Sequence, residues 1–267
     1  MTAVKRVIFV IFALLLILCS LAVLLFGSSQ QGEPETQEME TIQETQKVEE
    51  INGISIGRDF PATNELVEMV NNAELIVVGA YVSFASSWNM ARSSANVLHE
   101  DERNYTEGHL YAFHVEEVLK GSINDASILV NHLYSEKMYY TESNAVVDER
   151  GVIIIPATEV NELSFTVRHC LYIEPEIGMK YILFLSRDSH FGNYYGAIEP
   201  FSIRVDGSIV TLQSNLINGE GYDRQIVSID NSDRVLSVGQ GGLPVLTDTI
   251  SGRAFDDIKE EISEILQ

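Results

Sequence analysis

Residues 201–212 read FSIRVDGSIVTL, and this stretch decides the fold class. Two runs rich in β-branched residues, 201–205 and 208–212, flank Asp206-Gly207. Asp-Gly supplies the positive φ angles of a two-residue hairpin turn, so the runs are expected to pair antiparallel. Similar runs recur along the chain. Residues 74–83 (ELIVVGAYVS) are rich in β-branched side chains and read as a strand. In 109–119, Tyr111, Phe113 and Val115 alternate on one face with Ala112 and His114 on the other, and Lys120-Gly121 ends the run. Residues 127–133, 151–155 and 163–172 give further strands. Residues 179–185 (MKYILFL), after Pro175 and Gly178, have the composition of a buried strand.

Residues 85–108 are polar and predict a long surface excursion, 134–149 carry no decisive pattern, and 215–242 are Gly- and Asp-rich and predict mostly loop. A short helix is expected over 64–72, after Pro61, with Thr63 as its cap and Leu66, Val67 and Val70 on one face. An amphipathic helix is expected over 253–266, with Phe255, Ile258, Ile262 and Ile265 in one stripe. No internal repeat is present. Strands with a helix at either end give a mainly β chain, a mostly antiparallel barrel or sandwich.

The N-terminal part reads differently. Residues 7–26 (VIFVIFALLLILCSLAVLLF) are apolar, with Lys5 and Arg6 ahead of them. Twenty helical residues span about 30 Å, the thickness of a bilayer core. The basic pair is expected to stay in the cytoplasm as a tail over 1–6, leaving the rest outside. The rival readings are a signal peptide cleaved after Ser29, which would release the protein, and lipid attachment at Cys19. Residues 27–52 form an acidic spacer, with seven acids and only Lys47 as a base, expected to be disordered. The extracytoplasmic β domain is then 53–267.

The chain carries 17 basic and 39 acidic residues, a formal charge of −22. Charge of that sign repels nucleic acid and anionic lipid head groups, and favours basic proteins, cationic ligands or divalent cations. Cys19 and Cys170 are the two cysteines. With Cys19 in the apolar run, the outer domain has no disulfide partner for Cys170 and needs an ordinary hydrophobic core.

Four segments together carry a resemblance: 73–82 (AELIVVGAYV), 111–121 (YAFHVEEVLKG), 177–185 (IGMKYILFL) and 194–210. Their order resembles small exported bacterial β proteins and, through them, the netrin-like fold, the OB-type barrel of tissue inhibitors of metalloproteinases. The resemblance covers about half of the domain, rests on strand and turn residues, and implies an OB-like barrel rather than an activity. The inhibitors chelate their target's metal through an N-terminal cysteine; here Cys170 is internal, so that mechanism is not implied.

No motif names a reaction. Gly53-Ile-Ser-Ile-Gly57 fits G-x-S-x-G but lacks the preceding strand and following helix of a nucleophile elbow, so Ser55 is expected in an edge strand. His99, His109, His114, His132, His169 and His190 show no metal-binding spacing. A metal site assembled from distant segments stays open. Cys170, among Val167, Leu171 and Ile173, reads as a small buried hydrophobe rather than a thiolate nucleophile. The stretch 230–233 (DNSD) lacks the glycine and glutamate of a helix–loop–helix calcium site, so no cofactor is predicted, while a looser calcium site among the acids stays open.

The candidate binding residues are Trp88, Met90, Tyr105, Tyr139 and Tyr140, in or near the two long excursions. Aromatic side chains on loops often form contact surfaces; tucking of Trp88 back onto the barrel is the alternative. The leading expectation is a membrane-anchored binding module for an envelope or exported protein or peptide, ahead of catalysis. The alternatives are an envelope hydrolase with a site built from dispersed residues, and a structural accessory of a membrane complex.

Overall fold

The computed structural model describes residues 50–267 except 144–145, 148–149, 151–152, 156–157, 218 and 220–223. The expected cytoplasmic tail, the apolar run at 7–26 and the spacer up to residue 49 lie outside the described residues. Among the described residues, no helix is long and apolar enough to cross a membrane.

The described chain is mainly β, with one helix early and one at the C-terminal end. The elements are β1 (Glu50–Gly57), α1 (Leu66–Asn72), β2 (Leu75–Asn89), β3 (Arg92–Ser93), β4 (Asn96–Glu100), β5 (Thr106–Lys120), β6 (Ser127–Ser143), β7 (Val146–Val147), β8 (Ile153–Ile155), β9 (Val160–Arg168), β10 (Lys180–Arg187), β11 (Tyr194–Gly196), β12 (Ser202–Asp206), β13 (Ile209–Leu212), β14 (Gln225–Ser228), β15 (Val235–Gly241) and α2 (Phe255–Ile265). The main sheet runs β11-β6-β5-β2-β10-β12-β13, with β9 added on β6. This path is open rather than closed. One further pairing links its parts: β11 lies antiparallel on β10 and touches β6 in parallel at Tyr194↔Val130.

Residues 75–81 of β2 and 181–185 of β10 are largely buried on both faces, which explains their near-continuous apolar sequence. Ile76, Val78, Ile182 and Phe184 face the helices, together with Met69 and Val70 of α1 and Ile258 and Ile262 of α2. Leu75, Val77, Leu183 and Leu185 face the other way, into a core shared with Phe113, Val115, Ile128 and Val130. A third core, built on Phe165, Val167, Leu236 and Val238, joins β9 to a small sheet of order β1-β15-β14.

Both expected helices form, slightly shorter than read. Thr63 is not the cap expected: the N-cap is Glu65, without a side-chain cap bond, and Thr63 Oγ1 accepts the Glu65 N–H at 3.0 Å in the turn ahead of the helix. The hairpin after β12 forms too, but its register pairs Asp206 with Ile209. The central turn residues are therefore Gly207 and Ser208, and only Gly207 has positive φ, at 60°. Glycine at the first central position is the type II′ pattern, not the Asp-Gly turn expected.

Three regions differ from expectation. The excursion at 85–108 is largely strand: β2 continues to Asn89, β3 and β4 form a small hairpin, and β5 starts at Thr106. Its side chains are mostly exposed, so polarity there marks a solvated sheet extension rather than a loop. Strand β6 runs on to Ser143, through residues that carried no pattern, because β9 pairs with it from Ser135 onward. The Gly-rich stretch 215–242 contains β14 and β15, and β15 pairs in parallel with β1. Strand β1 begins at Glu50, just ahead of the expected domain start, and Ser55 sits in this edge strand opposite Gly239.

Candidate functional site

The inward stripe of β5 continues past Phe113 and Tyr111 to His109, and that of β6 past Val130 to His132 and Tyr134. His109 and His132 are direct cross-strand partners. A turn after β9, residues 169–172, folds over this end and brings in His169 and Tyr172. Asn215 holds the turn by donating to the Cys170 carbonyl at 2.8 Å.

The result is a buried polar and aromatic network. Tyr81 Oη lies 2.9 Å from His132 Nε2. Tyr172 Oη meets Tyr111 Oη at 2.8 Å and His109 Nδ1 at 3.1 Å. His109 stacks on Tyr134, ring centroids 3.9 Å apart. Burial pushes the His132 imidazole down to about 3, with His109 adding to the effect, so His132 is neutral at ordinary pH. Burial also lowers His169, to about 4, assisted by Arg58. Its Nδ1 accepts the Leu171 N–H at 3.4 Å, which leaves the ring proton on Nε2. The Tyr81, Tyr111 and Tyr172 hydroxyls are all raised by burial and stay protonated.

Beside this network lies a cavity of ≈ 310 Å³, within the range of small-ligand sites. Phe60, Leu133, Leu171, Ile198 and Phe201 make its lining mainly apolar. Asn131, His132, His169, Tyr172 and Glu199 supply the polar groups, and Tyr195, 44% exposed, also lines it. Glu199 follows β11 and is fixed through its backbone: its N–H donates to the Pro61 carbonyl, and its carbonyl accepts from the Thr63 N–H. Ser214 Oγ donates to Glu199 Oε1 at 2.6 Å. Oε2 accepts no hydrogen bond among the described residues. Burial raises this carboxyl to about 7, against the lowering effect of the Ser214 bond, and no cation contributes.

A smaller cavity of ≈ 20 Å³, room for about one water, shares His132, Leu171, Glu199 and Phe201 with the larger one. The large cavity's lining holds acid–base groups but no serine, threonine or cysteine. Cys170 is buried in an adjacent apolar cluster with Leu216 and Leu243, and burial raises its thiol, as expected of a small hydrophobe.

Met90 lines this cavity, and Trp88 packs behind the wall through the lining residue Asn131. Trp88 is in strand β2, half-buried, not on an exposed loop tip. Its Nε1–H donates to Asn131 Oδ1 at 2.8 Å, and Asn131 Nδ2 reaches Met90 Sδ at 3.3 Å. The indole meets Phe191 edge-on at 5.1 Å, and the Arg92 guanidinium stacks over both rings. Gly108 makes this packing feasible: a Cβ there would stand 2.4 Å from Asn131 Oδ1 and 2.6 Å from Trp88 Nε1. The other candidates lie elsewhere. Tyr105 is 39% exposed, Tyr139 donates to the Arg103 carbonyl, and Tyr140 packs against the third core.

The acidic turn at 230–233 is engaged by protein groups. Asp230 Oδ2 accepts from Ser164 Oγ at 2.6 Å and lies 3.2 Å from Lys137 Nζ. Among the described residues no group of three or more His, Cys, Asp or Glu side chains is arranged to hold a metal ion.

Reading the sequence missed His109, His132, Tyr134, Tyr172 and Glu199 as a group. A signal was present for three of them, since His109 shares the parity of Tyr111 and Phe113, and His132 and Tyr134 share that of Val130. Nothing local marks Glu199. Comparison with known proteins finds no matching family model, no matching curated protein and no matching solved structure.

Proposed function

We propose that this chain is a membrane-anchored, extracytoplasmic binding module that holds part of an envelope or exported protein or peptide in the cavity beside His132 and Glu199. The cavity carries the reading: it is concave, mainly apolar and fitted with a few convergent polar groups, the general character of a binding site. No serine, threonine or cysteine lines it, so the hydrolase alternative would have to work through its Tyr, His or Glu side chains.

The scaffold is read as an OB-like barrel. Its five strands would be β2, β5, β6, β10 and β11, a meander of three followed by a strand on β2 and a last strand parallel to the third. The pairing of β11 with both β10 and β6 supports this order. In OB-type barrels, ligands commonly use the face of the second and third strands and the loops after the first and fourth. Here those loops carry Arg92 and Phe191, which meet at Trp88. The anchor reading rests on the apolar run at 7–26 with its basic flank.

The test is photo-crosslinking in the protein's own cells, with benzoylphenylalanine in place of Tyr195 in the full chain. A partner captured at that position and lost on Ala197→Phe, which fills the cavity, supports the reading. An unchanged set of captured proteins in Ala197→Phe would sink it.

A further inference from the structure

The least explained feature of the cavity is the part-buried carboxyl of Glu199, which has no cationic partner among the described residues. Glu199 Oε1 is taken by Ser214, while Oε2 has no donor among the described residues. Among the described residues no lysine or arginine pairs with this carboxyl. The two cavity histidines are held neutral by burial, so neither supplies a counter-charge. A carboxylate in an apolar cavity is costly alone and is stabilised by a bound cation that donates a charge-assisted hydrogen bond. We infer that the cavity receives a lysine side chain of a basic exported partner, its ammonium donating to Glu199 Oε2 and its methylene stem lying against Leu171, Ile198 and Phe201. The inference rests on the binding role of the cavity proposed above.

Three observations favour this occupant. Lysine joins a four-carbon apolar stem to a compact charged tip, and so matches a mainly apolar cavity with one carboxyl. Arginine fits less well: its planar fork binds a carboxylate best through both oxygens, and Ser214 already occupies one. The chain's charge of −22 would draw a basic partner over long range and repel an acidic one.

The test uses the full chain in mild detergent at pH 8 and two synthetic peptides, acetyl-Gly-Leu-Lys-Leu-Gly-amide and its twin with norleucine for lysine. Binding is read from the emission of Trp88, the one tryptophan of the sequence, and by calorimetry. The lysine peptide should bind at least tenfold more tightly than its twin. Glu199→Gln should remove that preference, and Glu199→Asp, which retracts the carboxyl, should reduce it. Equal binding of both peptides, unaffected by Glu199→Gln, would overturn the lysine assignment and leave the cavity as a binding site. Binding of neither peptide would overturn the assignment and the cavity reading together. n-Pentylamine binding as tightly as the lysine peptide would replace the protein side chain by a free amine and overturn the stated source.

Discussion

At one end of β5 and β6 the inward side chains are Phe113, Val115, Ile128 and Val130, closed in by Leu183 and Leu185. At the other end the same face carries His109, His132 and Tyr134, with Tyr172 laid across them. The strands and the pleat are shared, so the backbone cannot explain the difference; the side chains do. Close-packed apolar groups stabilise the first end by removing surface from water. The second end buries groups that would rather be hydrated, and an open cavity adjoins it. Stability is concentrated at one end, and the proposed recognition would use the other.

Four measurements break or sharpen this contrast. The largest effect belongs to the apolar end: Phe113→Ala should cost about 3–5 kcal/mol in urea unfolding, since Phe113 is fully buried and the site cannot collapse freely. A loss below about 1 kcal/mol would mean that this end is not the stabilising one.

The second is pH dependence, which belongs to the polar end. The His132 imidazole is lowered from 6.5 to about 3, so below pH 6.5 the unfolded chain takes up a proton that the folded chain refuses. His169, lowered to about 4, acts in the same direction. Stability therefore falls as pH drops from 6.5, by up to about 1.4 kcal/mol per pH unit for each group, down to about 4 for His169 and about 3 for His132. Glu199 acts oppositely: its carboxyl, raised from 4.5 to about 7, favours the folded state below pH 4.5, and that contribution is lost as pH rises through 7. Glu199→Gln should therefore show a steeper rise of stability with pH between 4.5 and 7 than the parent chain. Parallel curves would show that the Glu199 carboxyl is not raised in the folded chain.

Third, Gly108→Ala should destabilise by roughly 1–3 kcal/mol, the usual cost of overpacking, and change Trp88 emission. Its new methyl would meet the Trp88–Asn131–Met90 contacts. Unchanged emission would uncouple Trp88 from the cavity wall. The smallest effect is the most discriminating one. Tyr81→Phe with His132→Leu removes both members of a buried hydrogen bond, so stability should stay within about 1 kcal/mol or rise, and the fall on acidification should soften. A loss as large as that of Phe113→Ala would make the polar end part of the structural core.

What the sequence disclosed follows the range of the interactions. The hairpin around Gly207, the apolar strands β2 and β10, and the stripe of α2 are set by neighbours a few positions apart, so they were legible. Strand β15 was not: its glycines, Gly239 and Gly241, argue against a strand, and its pairing comes from β1 at the far end of the described chain. The same holds for the site. Period-two parity could have extended the stripe of Tyr111 and Phe113 to His109. Glu199 and His169 approach it only through the turn after β9 and the segment after β11, and no local pattern records that. Bulky side chains in polar stretches stood out for all five candidates: Met90 lines the cavity and Trp88 packs behind it, whereas Tyr105, Tyr139 and Tyr140 lie elsewhere.

The parallel pairing of β1 with β15 also sets an order of events. A ribosome delivers β1 before any other described strand and β15 after all the others. From Glu50 onward, the strand must wait with its amide and carbonyl groups unpaired until Val235 has been made. The β1-β15-β14 sheet is thus the last part of the β structure to close during synthesis, while the β2–β5–β6 meander can assemble from its own neighbours as soon as it is complete. A chain interrupted before residue 235 would keep its meander and present β1 as an open edge, ready to pair with the same strand of another unfinished copy.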